Sequence, residues 1–317
     1  MSSTAIVADI GGTNARFCTV DFAQAPVVAG LQHEKKFRCA EFSDITLLIR
    51  AYLDHLPAAF SISSICICIA GAVDRDEIFM PNRGWTFSQR AVAAEIGRPI
   101  HFINDFTAQV HSIATLRPDE IEWLGAPRPQ GKRAFAVIGP GTGLGVGAMT
   151  AGHDAVPSEG GHASFAPRNA HQLQLLQTLW QSMQHVEIED LLSGPGLEQL
   201  YAANATLQGR EASLAAPDIT SAANAGDAFA KAVIQDFLDV LAGFAGDVAV
   251  LMAAVDGVYV VGDLLPRLRS LNDVSRFRQS FDNHGNYRGY CSRIPLALVS
   301  AKDTGLRGCW RYLALTR

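Results

Sequence analysis

Apolar positions along the chain switch between two periods, and the switches mark its elements. Ile6-Val7-Ala8 is a short apolar run inside a strand predicted over Ala5 to Asp9, closed by a Gly11-Gly12-Thr13 turn. Arg16 to Val20 returns as a second strand. Ile45, Leu48, Ile49, Tyr52, Leu53 and Leu56 then recur at helical spacing, behind Ser43 or Asp44 as the capping residue. Ser64 to Ala70 is a buried strand by length and composition, and Ile100 to Ile103 is another, followed by a helix from Asp105 to Leu116. From Arg117 to Lys132 proline, glycine and charge dominate without a clear period, which predicts a connection between two parts.

A second cycle begins beyond that connection. Ala134 to Ile138 reads as a strand, Gly139 to Gly143 as a turn, and Leu144 to Met149 as the return strand. Downstream the pattern is mostly helical: Leu173, Leu176, Trp180 and Met183 form one stripe, and Asp227 to Ala254 predicts a long buried helix. Val258 to Val261 and Leu296 to Val299 supply late strands, and Thr304 to Leu315 a final helix. The two strand–turn–strand units do not match residue for residue, but their shared form suggests two similar halves closing around one ligand.

Size and composition narrow the class. A chain of 317 residues exceeds the usual reach of one hydrophobic core, so two domains are expected. With 48% hydrophobic and 18% charged residues it is a well-buried globular protein, not a disordered one. The 26 basic and 31 acidic side chains leave a net charge of -5, which offers no electrostatic footprint for nucleic acid or an anionic membrane. A nucleotide ligand stays possible, because backbone amides and a bound cation neutralise phosphates without a basic surface. The opening residues read as a strand, not as a secretory leader, and Phe237 to Val255 carries Asp239 and Asp247, poorly suited to a bilayer. The six cysteines are scattered, and Cys66 and Cys68 would share one buried face of their strand. A reduced, cytoplasmic setting without zinc is the expectation.

Two bends carry candidate phosphate chemistry. Asp9-Ile10-Gly11-Gly12-Thr13-Asn14 puts an acid at a strand end and then two glycines, which let backbone N–H groups approach phosphate oxygens. Thr13 adds a hydroxyl, and Asp9 is placed to hold magnesium through water, since such ions keep part of their hydration shell. A plain hairpin with an acidic flank is the competing account. Gly139-Pro140-Gly141-Thr142-Gly143-Leu144-Gly145 lacks the lysine followed by Ser or Thr of a P-loop. Gly143, Gly145 and Ala148 fit a loose dinucleotide pattern, but Gly147, Gly152 and Pro157 follow where that pattern needs a helix.

Candidate acid–base and hydroxyl-binding groups lie near these bends. Asn104-Asp105 falls between a buried strand and a helix, where it serves either as a helix cap or as a base at the carboxyl end of a strand. Ser158-Glu159-Gly160-Gly161-His162 offers a carboxylate and an imidazole on a glycine-opened loop, or an exposed turn. Glu189 by itself reads as an ordinary helix-surface acid.

Five segments in order carry a resemblance: Asp9 to Arg16, Ile103 to Ala108, Gly139 to Gly145, Glu159 to His162, and Leu192-Ser193-Gly194-Pro195-Gly196. Together they resemble the bacterial glucokinase family, within the larger actin-like ATPase and hexokinase group, over residues 5 to about 310. The resemblance implies a two-domain α/β actin-like (ribonuclease H-like) fold with a cleft between a small and a large domain. The small one would comprise residues 1–115 plus 303–317, and the large one residues 116–302. Residue by residue it makes Asp105 the general base, with Asn104, Glu159, His162 and Glu189 binding glucose hydroxyls. Asp9, Gly11, Gly12, Thr13 and Asn14 match the first phosphate loop, Gly141, Thr142 and Gly143 the second, and Gly262 the adenosine side. The implied substrates are glucose and ATP with Mg2+, the product glucose 6-phosphate, and the assembly a homodimer. The cysteine-rich zinc motif of related sugar kinases and repressors, and the repressors' DNA-binding extension, are not part of the pattern here.

Two positions depart from the family pattern. Val260-Val261-Gly262-Asp263 replaces a Gly-Gly turn against which adenosine packs, and Asp303-Thr304-Gly305 stands where the family often has Pro before Gly. Asp263 therefore supports an alternative, a non-catalytic sugar sensor with impaired nucleotide binding. A kinase for another hexose is a second alternative. For the kinase, Asp105 would take the proton of the hexose 6-hydroxyl while bend amides and magnesium stabilise charge on the transferred group. Domain closure would exclude water as a competing acceptor.

Overall fold

The computed structural model describes residues 4–316 apart from 25, 27–29, 58, 59, 132, 211, 263, 265–267 and 269–272. The chain divides into two compact units, residues 1–118 with 301–317, and residues 119–300.

In the first unit β1 (Thr4–Ile10), β2 (Asn14–Asp21), β3 (Gln32–Arg38), β4 (Ile62–Ile69) and β7 (Ile100–Asn104) form a sheet in the order β3-β2-β1-β4-β7. The first three strands pair antiparallel, whereas β1, β4 and β7 run parallel. Strand alternation sends Ile6, Ala8 and Ile10 to one face, where they pack with Ile45, Leu48, Ile49 and Tyr52 of α1 (Ile45–His55). Ala5 and Val7 face the other way, onto Leu306, Cys309, Trp310 and Leu313 of the last helix of the chain. Cys66 and Cys68 share that second face, and all six cysteines are free and buried. A hairpin of β5 (Glu77–Met80) and β6 (Trp85–Ser88) leads into α2 (Gln89–Ile96), and α3 (Asp105–Ser112) follows β7.

In the second unit the order is β11-β10-β9-β12-β13-β8, from β8 (Ile121–Trp123), β9 (Phe135–Pro140), β10 (Leu144–Met149), β11 (Ala155–Ser158), β12 (Val258–Val260) and β13 (Leu296–Val299). β9, β10 and β11 are an antiparallel series, and β9, β12 and β13 run parallel. Five strands of each sheet thus repeat one topology. Helices α4 (Ala170–Leu179), α5 (Gly194–Leu207), α6 (Ala216–Asn224), α7 (Ala228–Leu251), α8 (Val274–Asp282) and α9 (Arg288–Cys291) contribute to its core, and the chain ends with α10 (Thr304–Leu315) back in the first unit. No described helix is long and apolar enough to cross a membrane.

Three predicted elements differ. The helix after Asn104 stops at Ser112 and tightens into a 3-10 turn over Ile113–Thr115. The stretch read as a bare connection, 117–132, contains β8, which pairs antiparallel with β13. On α4 the buried face is Gln172, Leu175, Leu176 and Leu179, whereas Leu173 and Trp180 are exposed. The leucine spacing admits two helical phases, and Gln172 decides between them. Its Oε1 accepts from the Arg168 N–H at 2.8 Å, so a polar residue occupies the inner face satisfied.

Candidate functional site

Parallel strands deliver their carboxyl ends to one edge of the first sheet. Ile10 of β1 is in register with Ile69 of β4, which is in register with Asn104 of β7, so Asp9 and Asp105 come to that edge with one strand between them. Such edges are where open α/β sheets bind ligands. Asn104 caps α3, its Oδ1 accepting from the N–H groups of Phe106 at 2.8 Å and Thr107 at 3.2 Å. Its Nδ2 donates to Gly71 O at 3.2 Å. The cap fixes the turn on which Asp105 sits. Asp105 is half-buried at the first helical position, and its Oδ1 accepts from Phe106 N–H at 2.9 Å. A carboxylate there stands at the positive end of the helix.

The first bend follows β1 directly. Gly11 N–H donates to Asn14 O at 3.0 Å, and Cys39 N–H donates to Thr13 O at 2.9 Å. A Cβ on Gly12 would lie 2.7 Å from the Asn82 Cβ and 3.1 Å from its carbonyl oxygen, so glycine is required by close approach of another segment. Thr13 and Asn14 are exposed beside it.

Asp9 lies on the α10 face of the sheet. A Cβ on Gly305 would come within 2.7 Å of Asp9 Oδ2 and 3.3 Å of Cys68 Sγ, which puts all three together at the start of that helix. Burial pushes the Asp9 carboxyl up, while a hydrogen bond from Cys68 and the charge of Arg16 pull it down. Arg16, opposite Asp9 on β2, pairs with Asp303 at 2.5 Å and with Glu34 at 3.1 Å. Asp303 precedes α10 with φ +59°, a left-handed conformation held by that ion pair.

The second bend is clasped more closely. Gly141 N–H donates to Gly143 O at 2.7 Å, and Gly141 O accepts from Gly194 N–H at 2.8 Å. Gly194 opens α5, where Ser193 is the cap and its Oγ accepts from Gly196 N–H at 2.9 Å. Leu144 N–H, at the exit of the bend, donates to Glu189 Oε2 at 2.6 Å. Gly262 follows β12 with φ +114°, and a Cβ there would lie 2.6 Å from Pro140 O at the entrance of the bend. Asp263 lies outside the described residues.

Glu189 is not a helix-surface acid. It lies in a turn before α5, half-buried, and its N–H donates to Gly161 O at 3.0 Å. Residues 163–165 and 186–188 form a short antiparallel ribbon: Phe165 N–H donates to Val186 O at 2.9 Å and Ile188 N–H to Ala163 O at 2.8 Å. A side chain on Gly161 would collide with Leu144 O, so the paired glycines let this ribbon press against the start of β10. Glu159 is exposed just before a 3-10 turn over Gly160–His162, and its carbonyl accepts from His162 N–H at 3.0 Å. Glu159, His162 and Glu189 thus belong to one local group, with Glu189 joining it to the second bend.

Sequence reasoning missed the groups that position these residues. Glu187 Oε2 lies 2.6 Å from His162 Nδ1. That hydrogen bond, and the charges of Glu187, Glu189 and Glu159, raise the imidazole pKa against a smaller opposing effect of burial. Cys68 was read as burial alone, although it meets Asp9. In the sequence Arg16 stands out only as the start of a strand and the end of a motif, not as the partner of Asp303. Alternation would have paired Val186 with Ile188 inward and Glu187 with Glu189 outward, had the segment been read as extended.

Comparison with known proteins adds to this geometry. The family model described as glucokinase matches residues 6–316. A glucokinase of Chromohalobacter salexigens is 38% identical over 318 residues, covering 99% of this chain and 98% of that protein. The crystal structure of a glucokinase from an Antarctic psychrotroph superposes with a TM-score of 0.87 at 31% identity, covering 99% of both chains. A ROK family glucokinase from Streptomyces griseus, solved in complex with glucose and AMPPNP, shares the fold with a TM-score of 0.66 at 19% identity, over 99% of this chain and 100% of that one.

Proposed function

Since the chain belongs to the glucokinase family, we propose that it transfers the terminal phosphoryl group of ATP to the 6-hydroxyl of glucose, with Asp105 as general base. The products are glucose 6-phosphate and ADP. The observation that carries the reading is the hydrogen bond of Glu189 to Leu144 N–H, which ties a candidate phosphate bend to the candidate sugar group.

Phosphoryl transfer asks mainly for positioning and for stabilisation of charge on the moving group. Asp105 accepts the proton of the 6-hydroxyl as the new O–P bond forms and the bond to the leaving ADP breaks. Glu159, His162 and Glu189, with Asn104, hold the other hydroxyls and orient the ring. Gly11, Gly12, Thr13 and Asn14 of the first bend and Gly141, Thr142 and Gly143 of the second offer N–H and hydroxyl donors to the phosphates. Gly262 keeps the backbone low where adenosine would pack.

Magnesium suits Asp9. No group of three His, Cys, Asp or Glu that could hold a metal occurs among the described residues, so a resident metal cage does not fit, whereas an ion arriving on phosphate oxygens does. Asp9, a carboxylate penalised by burial, would gain from that cation. The ion would supply positive charge to phosphate oxygens. A cytoplasmic homodimer completes the reading, and light scattering of the purified protein tests the oligomer.

The deciding assay is a panel of hexoses against several phosphoryl donors, scored for sugar phosphate. Glucose with magnesium-ATP is expected to give the highest kcat/KM. Another hexose in first place would redirect the specificity, and glucose binding without any sugar phosphate would favour the sensor.

A further inference from the structure

The hydroxyls of a sugar both donate and accept, so a site made only of carboxylates leaves the hydroxyl oxygens without donors. Glu159 and Glu189 are acceptors when ionised. We propose that Glu187 is a positioning residue that holds His162 as a hydrogen-bond donor of this sugar site, by accepting from Nδ1–H of the imidazolium and leaving its Nε2–H for a glucose hydroxyl. The inference rests on the reading of His162 as a glucose contact.

Three observations support it. First, the ribbon fixes the pair. Val186 and Ile188 are buried while Glu187 and Glu189 alternate outward, and Ser164 bridges to Glu187 across the ribbon. Glu187 is held further by its N–H donating to Asp190 Oδ2 at 2.8 Å and its carbonyl accepting from Asp190 N–H at 3.1 Å. Second, Nδ1 is engaged at 2.6 Å while Nε2 makes no hydrogen bond to a described residue, and the His162 side chain is 53% exposed. Third, the charged groups facing the ring are Glu187 from the ribbon, Glu189 from the turn that follows it and Glu159 from the turn before Gly160, all acidic.

A neutral imidazole with its proton on Nδ1 can only accept at Nε2, whereas the imidazolium donates from both nitrogens. The hydrogen bond that Glu187 accepts from the ring, opposed by burial and helped by the three negative charges, raises the His162 pKa and extends the imidazolium to higher pH. The donor is present below that pKa and is lost as pH rises through it. Without Glu187 the loss comes at lower pH.

The test measures glucose dissociation constants across pH by calorimetry for the wild type, Glu187→Gln, His162→Gln and the double variant, together with kcat at saturating glucose. Glu187→Gln is expected to weaken glucose binding by up to about tenfold in the pH window where the wild-type imidazole is still charged and that of the variant is not, the size of one hydrogen bond to a charged group. Its kcat should stay within about twofold, and its alkaline loss of binding should shift to lower pH. Adding it to His162→Gln should cost nothing more. Unchanged binding in His162→Gln would remove the sugar contact itself, and the proposal with it. Weakened binding in His162→Gln with normal binding and pH profile in Glu187→Gln would overturn the proposal alone, as would additive losses in the double variant. Should Glu187→Gln fold poorly, the His162 titration followed by nitrogen-15 NMR in Glu187→Asp decides, since an unmoved imidazole pKa there also overturns it.

Discussion

The two glycine bends share a topology and differ in what supports them. Each joins two antiparallel strands, β1 and β2 or β9 and β10, and the neighbour on the other side of β1 or β9 runs parallel to it. The first bend is braced by backbone: Cys39 N–H on Thr13 O, and Asn82 pressed against Gly12. The second is braced by backbone, Gly194 N–H on Gly141 O, and also by a side chain of the candidate sugar group, since Glu189 accepts from Leu144 N–H. A change at the first bend should therefore reach the nucleotide alone. A change at Glu189 should reach both substrates.

The largest effect is expected where the chemistry is assigned. Asp105→Ala should lower kcat by about two to four orders of magnitude while glucose binding by calorimetry largely survives. Normal turnover in that variant would remove Asp105 from its role. Next comes Glu189→Gln, which should raise the glucose KM at least about tenfold and raise the ATP KM as well, because an ionised acceptor is lost from both. A shift in the glucose KM alone would break the coupling between ribbon and bend. Gly12→Ala should raise the ATP KM severalfold with an unchanged glucose dissociation constant, and cost about 1–3 kcal/mol of stability through the crowding against Asn82. The smallest effect belongs to Arg16→Ala. Its pairs with Asp303 and Glu34 are partly exposed, so thermal unfolding should register at most about 1 kcal/mol, less at high salt.

Much of this was legible because the central strands carry contiguous apolar runs. β1, β4 and β9 contribute almost wholly buried residues, and such runs need no partner to be recognised. Edge strands read poorly for the opposite reason. β3, Gln32–Arg38, is charged and mostly exposed, which protects an open sheet edge but erases the apolar alternation. The phase of α4 was lost because a buried glutamine cannot be distinguished from a solvated one until its partner is known. Candidate site residues lying in contiguous motifs can be singled out from the sequence, and pairs that form across distance cannot. Glu187 meets His162 only after a ribbon closes over the residues between them, and Asp303 meets Arg16 only through the return of α10.

That return has a consequence for biosynthesis. Trp310 and Arg307 are fully buried in the first unit, and Gly308 lies so close to α3 that a side chain there would strike the Ala108 carbonyl. Arg307 donates to Thr115 from the far side of the intervening 119–300 segment. A ribosome therefore releases every residue of the later unit before the earlier one can be sealed, and a nascent chain carries Ala5, Val7, Cys66 and Cys68 uncovered until residues 304–315 have emerged. Clipping the final dozen residues should leave 119–300 intact and 1–118 prone to aggregate.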